Sequence, residues 1–317
     1  MGFPLFDLPG AAVELILGSL DEREDRRTLR LVCKRSCDSV DRSVVAVKAY
    51  ATALSPAQLA TLAGAPWSLL RLEVSSAQLD APATAVLATA NWAGLLQSLY
   101  LSRNKLCGQA EVAALAAAGT SHWPALRQLN LSFNSMDAGG AAALAAALRF
   151  LCLDDNCLSD EGAAAALAAG HWPVLEELAL ARNGLGGAAA AALATARLPA
   201  LQELCLMRNN LGAEGAAALA AADWPALQTL DLVANGLGPH GAAALAESRA
   251  MWPALEELYV CRNDMGASGA AALAAAALDE TRFPHLHLLY MRSNGMVYDD
   301  LAALQAGKQP KKLSIRI

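Results

Sequence analysis

One pattern recurs down most of the chain and limits its possible folds more than any other property. It is LxxLxLxxNxL followed by a stretch rich in alanine and glycine, repeated from about residue 67 to residue 305. WPALRQLNLSFNSM begins at Trp123, WPVLEELALARNGL at Trp172 and WPALEELYVCRNDM at Trp252. A period of this length marks a unit that cannot bury its apolar face alone and must stack on copies of itself. Within a copy, Leu129 and Leu131, or Leu178 and Leu180, alternate as in a short strand that turns both leucines to one side. The segment that follows, such as GAEGAAALAAA at 212–222, favours helix, and its small side chains let neighbouring helices approach closely. Each copy is therefore expected to be strand, turn, helix.

Asn104, Asn134, Asn156, Asn183, Asn209, Asn235, Asn263 and Asn294 hold one position in eight successive copies, 22 to 31 residues apart. Stacked copies would align them in a ladder. Asn both donates to and accepts from backbone groups and tolerates turn dihedrals, so the expected role is structural. Trp67, Trp92, Trp123, Trp172, Trp224 and Trp252 each open a copy, and Leu198 or Phe283 stands there where Trp does not. The site is thus expected to want apolar bulk rather than an indole donor. The copy at Leu148 lacks the Trp-Pro opening, leaving 22 residues between Asn134 and Asn156, and the curvature is expected to change there. Residues 44–66 read as a degenerate first repeat or linker, with VVAVKAY as an extra strand and SPAQLATLAG as a short helix capped by Ser55.

The composition follows from the repeat. The chain is 55% hydrophobic but only 5% aromatic, and the excess is alanine, which buries little area, so a positive mean hydropathy need not mean a membrane protein. No signal or lipidation motif is read at the N-terminus. Seven cysteines without a CxxC pair suit a reducing compartment, so a cytoplasmic or nuclear location is expected. A net charge of −6 argues against a nucleic-acid partner and for a protein one. The basic cluster Lys308, Lys311, Lys312 and Arg316 reads as part of a solvated tail over 307–317.

The repeats at 67–306 resemble leucine-rich repeats of the ribonuclease-inhibitor type. The resemblance implies an α/β fold: a leucine-rich-repeat solenoid in the form of a horseshoe, with the parallel sheet inside, helices outside and a recognition role. The repeats are also similar to those of Ran GTPase-activating protein, though no motif here places that family's arginine. Residues 1–43 read as a small helical module, because Val13, Ile16, Leu17 and Leu20, then Leu29, Leu31, Val32 and Cys33, suggest two buried helices. A cap on the end of the solenoid is one reading. The segment also resembles an F-box through Leu8-Pro9, Ile16-Leu17, Leu20, Asp25 and LRLVCKR at 29–35. That resemblance implies a substrate-recognition subunit of an SCF-type cullin-RING ubiquitin ligase, gripping the adaptor subunit through Leu8, Pro9, Ile16, Leu17 and Leu20 while the repeats select the substrate protein.

No catalytic chemistry is read. The five histidines are not at ligand spacing, no phosphate loop is present, and neither cofactor nor metal is expected. Cys152, Cys205 and Cys261 read as one column in alternate copies, roughly 10 Å apart and beyond disulfide reach. Residues flanking the strand leucines should face outward and bind a partner. The candidates are Tyr100, Phe150, Tyr259 and Tyr290, with a rim of Arg103, Phe133, Asp155, Arg182, Arg208 and Arg262 just before the ladder asparagines. Arg and Tyr are favoured at binding hot spots. The alternative is that Arg182 and Arg208 pair with Glu177 and Glu203 in an exposed charge lattice worth little energy.

Overall fold

The computed structural model describes residues 13–17, 29–34, 46–50, 59–60, 63, 69–90, 93–104, 106, 123–136, 148–163, 172–248, 252–295 and 313–317. The chain forms two compact units, Met1–Asn134 and Ser135–Ile317.

In the first unit the strands are β1 (Val13–Leu17), β2 (Leu29–Lys34), β3 (Ala46–Tyr50), β4 (Arg71–Ser75), β5 (Ser98–Tyr100) and β6 (Gln128–Asn130). From β3 to β6 neighbours run parallel, while β1 and β2 pair antiparallel and β2 joins β3 the same way. The N-terminal segments are therefore strands where two helices were expected. The reason is visible in the letters. Val13, Leu15 and Leu17, and Leu29, Leu31 and Cys33, alternate with period two as well as they fit a helix, and a run of five or six residues does not separate the two periods. The β-branched Val13, Ile16 and Val32 then favour the sheet.

The second unit stacks β7 (Phe150–Cys152), β8 (Glu177–Ala179), β9 (Glu203–Cys205), β10 (Thr229–Asp231), β11 (Glu257–Tyr259), β12 (Leu288–Tyr290) and β13 (Ser314–Arg316). All pair parallel, in unshifted register, so Leu178, Leu204, Leu230, Leu258 and Leu289 stand side by side. Residues 314–316 thus add a strand where a solvated tail was expected. Between strands lie α2 (Gly187–Thr195), α3 (Gly212–Ala220), α4 (Gly238–Ala246) and α5 (Gly266–Ala277); α1 (Ala81–Ala88) belongs to the first unit. The strand leucines and Leu193, Leu219, Leu245 and Leu273 of the helices are buried, forming the core between sheet and helices. Glycine sets the helix spacing. A Cβ added at Gly241 would stand 3.1 Å from the Cβ of Ala216 on the neighbouring helix, closer than ordinary contact.

The asparagines form the expected ladder. Asn209 Nδ2 donates to the carbonyls of Leu180 in the preceding copy (3.0 Å) and Leu206 in its own (2.9 Å), while its Oδ1 accepts from the N–H groups of Asn183 (2.9 Å) and Leu185 (3.1 Å). Asn263 repeats the pattern with Leu232, Val260 and Asn235. The left-handed turn is taken by the residue before each Asn instead: Arg103, Phe133, Asp155, Arg182, Arg208, Ala234, Arg262 and Ser293 all have φ between 52° and 59°. Each ladder Asn bonds while its predecessor bends. Trp123, Trp172, Trp224 and Trp252 are buried with no partner for their Nε1 among the described residues, and Leu198 and Phe283 are equally buried at the equivalent place, as expected of a site that wants bulk. Trp67 and Trp92 lie outside the described residues.

Candidate functional site

Alternation places one residue on each side of every buried strand leucine on the open face of the sheet. In the first unit this face carries Tyr100, whose ring lies 4.5 Å from the Arg71 guanidinium and whose hydroxyl donates to Gln128 Oε1 (3.1 Å). Arg103 lies over Phe133 at 4.5 Å, so those two rim residues are one stacked pair.

In the second unit one column runs Phe150, Glu177, Glu203, Thr229, Glu257, Leu288, and the next runs Cys152, Ala179, Cys205, Asp231, Tyr259, Tyr290, Arg316. Cys152 and Cys205 share this second column, but Cys261 stands two residues past Tyr259, at the end of the strand. The single cysteine column expected from spacing is therefore corrected: the short VCRN run after Tyr259 places its sulfur at the position Asp154 holds in an earlier copy. None of the three is in a disulfide.

The electrostatics of this face are acidic. Burial pushes the Glu177 carboxyl above its ordinary range, and Glu203 and Glu176 beside it add to the rise. Burial also raises Asp154 and Asp231, against the N–H groups of Ala181 and Val233 that donate to them at 2.7 and 2.9 Å. The Cys205 thiol is pushed up to about 11 by burial, with Asp231 and Asp154 adding to it, so little thiolate forms near neutral pH. Tyr259 rises to about 12, chiefly because its hydroxyl donates to Glu257 Oε2 at 2.6 Å. His287 meets the same carboxylate at 3.6 Å.

The rim arginines do not pair with Glu177 or Glu203 among the described residues. Arg182 reaches Asp155 at 3.5 Å rather than Glu177, and among the described residues Glu177 and Glu203 make no ion pair. Arg182, Arg208 and Arg262 are exposed along the rim, and Tyr259 and Tyr290 pack 6.0 Å apart with Arg292 and Arg316 against Tyr290. The structure thus brings Phe150, Asp155, Arg182, Arg208, Tyr259, Arg262 and Tyr290 onto one unit, and Tyr100, Arg103 and Phe133 onto the other. Sequence reasoning named neither Glu177, Glu203 nor Asp231 as site residues, although their register with the chosen aromatics was readable from the repeat. No group of three or more His, Cys, Asp or Glu among the described residues is placed to hold a metal ion, and no helix there is long and apolar enough to cross a membrane. Of the adaptor-contact candidates, Ile16 and Leu17 lie on β1 opposite Arg30 and Leu29, and Leu8, Pro9 and Leu20 fall outside the described residues.

Residues 124–145, 198–220 and 225–246 match the family model described as Leucine Rich repeat. The chain carries leucine-rich repeats. No curated protein matches it. Among solved structures the leucine-rich-repeat chain is similar to an internalin from Listeria monocytogenes, at 16% identity and a TM-score of 0.51, over 82% of this chain and 69% of that one. It is also similar to a chain of the Rad7 and Elc1 complex in yeast, at 17% identity and a TM-score of 0.47, over 82% and 77% of the two chains. The internalin likeness is one of fold, that of a leucine-rich-repeat solenoid.

Proposed function

We propose that this leucine-rich-repeat chain works by binding a protein partner rather than by catalysis, and that the open sheet face of residues 150–290 is the surface it uses. One observation carries the reading: rigid strands hold two columns of half-exposed aromatic and charged side chains around buried leucines, with a rim of arginines beside them. A photo-crosslinking residue at Glu203 in the full chain should capture a partner, one at the exposed helix position Ala191 should not, and reversing the charge of Arg182 and Arg208 together should weaken the capture. Equal capture from both positions, or capture indifferent to the rim change, would overturn the assignment.

The finer reading is that of a substrate receptor in an SCF-type cullin-RING ubiquitin ligase, and the F-box resemblance of residues 8–35 supports it. The strands at 13–17 and 29–34 weigh against a helical adaptor module. A pull-down of the adaptor subunit by the full chain decides the matter: saturable binding lost on Ile16→Asp supports the receptor role. No binding by the folded chain leaves a recognition scaffold with an N-terminal cap.

A further inference from the structure

Glu177 and Glu203 face each other in register on neighbouring parallel strands, about 4.8 Å apart by strand spacing, and neither meets a cation among the described residues. Like charges directly opposite on a sheet are destabilising. They belong to a hollow of the second unit whose floor is the small side chains of Ala179 and Cys205 and whose ends are Phe150 and Tyr259. Its chemistry is that of a cation site drawn out along a groove: aromatic faces that attract a guanidinium, short floor residues that leave room for an aliphatic stem, and uncompensated carboxylates for the charged head. The carboxylates are spread across successive strands rather than converged on a point, which suits a long basic side chain better than a metal ion.

We infer that the hollow bounded by Phe150, Glu177, Glu203 and Tyr259 takes an arginine from a basic segment of the partner protein. The inference rests on the proposed recognition role of this face. An arginine entering the hollow places its head between Glu177 and Glu203, relieving their repulsion, while its stem lies over Ala179 and Cys205. Asp231, one strand beyond Cys205, extends the acidic ground for a neighbouring basic residue.

The test is fluorescence anisotropy with the full chain and three labelled twelve-residue peptides on one Gly/Ser scaffold, carrying alternate arginines, citrullines or glutamates. The arginine peptide should bind saturably, the isosteric but neutral citrulline peptide about tenfold more weakly, and the glutamate peptide not at all. The Glu177→Gln, Glu203→Gln double variant should lose about tenfold in affinity. Glu214→Gln with Glu247→Gln, at exposed positions on and beside the helices, removes the same charge and should change affinity by less than about twofold. Ala179→Leu fills the floor without altering charge and should also abolish binding, and a thermal melt of each variant identifies any loss of folding. Equal losses in the two double variants would reduce the effect to net charge and overturn the inference, as would no saturable binding of the arginine peptide up to about 1 mM. Equal binding of the citrulline peptide, still blocked by Ala179→Leu, would overturn the cation site while leaving the recognition role of the face standing.

Discussion

A buried amide is worth most where all its groups are bonded, and the ladder contains an internal control. Asn209 has partners for both ends of its amide, whereas Asn235 donates to the Leu206 carbonyl at 2.9 Å but its buried Oδ1 has no partner among the described residues. Removing an amide that satisfies several buried backbone groups exposes each of them to the desolvation penalty. Asn209→Ala should therefore cost roughly 3 kcal/mol, and Asn235→Ala about 1 kcal/mol less. Denaturant unfolding of the two variants checks this, and equal costs would mean that the Oδ1 bonds contribute nothing. The position of these asparagines was legible in the sequence because the repeat fixed it. The left-handed turn was not, because Arg, Phe, Asp, Ala and Ser at the preceding position share no propensity for it; the stacked backbone imposes it.

At the scale of elements, the helices are rich in alanine, so little distinguishes one face from another in the letters, and the start of α2 is fixed from a neighbouring copy. Asp160 accepts from the N–H groups of Gly186 at 2.8 Å and Ala189 at 2.7 Å, capping α2 from the preceding repeat. A helix start normally finds its cap within its own chain segment; here the ligand is some 26 residues earlier, which no local motif reveals. Asp160→Ala should destabilise the second unit by about 1–2 kcal/mol, and Asp160→Asn by less, because the amide oxygen still accepts. Gly241→Val should cost about 1–3 kcal/mol by forcing α3 and α4 apart, a loss visible in the melting temperature. Strand and helix order along the repeats was readable, since each copy is long enough for the period to declare itself; the N-terminal runs of five and six residues were too short for that, and they are strands rather than helices.

For the whole molecule, the acidic sheet face makes stability depend on pH in an unusual direction. Asp154, Glu177 and Asp231 all hold their protons more tightly folded than is ordinary for a carboxyl, chiefly because of burial. Groups of this kind penalise the folded state above their raised pKa, and the penalty is relieved as the pH falls toward the ordinary carboxylate range near 4. Glu177→Gln should then melt above the parent chain at pH 7, and the difference should close as the pH is lowered through that range. A difference independent of pH in calorimetry would show that the charge on Glu177 is not the cause. The site was legible only in part: the aromatics and arginines were picked by residue type, while the carboxylates became significant once register showed them side by side with no cation paired to them among the described residues.

The bent residue before each ladder asparagine carries a last consequence. At Arg103, Asp155, Arg182, Arg208, Ala234 and Arg262 its N–H is held by the next copy, as Arg182 by the Met207 carbonyl at 2.9 Å and Arg208 by that of Val233 at 2.7 Å, so the direction in which the side chain leaves the sheet there is set before the side chain is chosen. Glycine and asparagine sit most easily in such a backbone, yet none of the eight positions has either. Within each unit the rim behaves as a row of like sockets: what is plugged into each can be exchanged without rebuilding the wall, so new specificities are reachable by single substitutions from copy to copy.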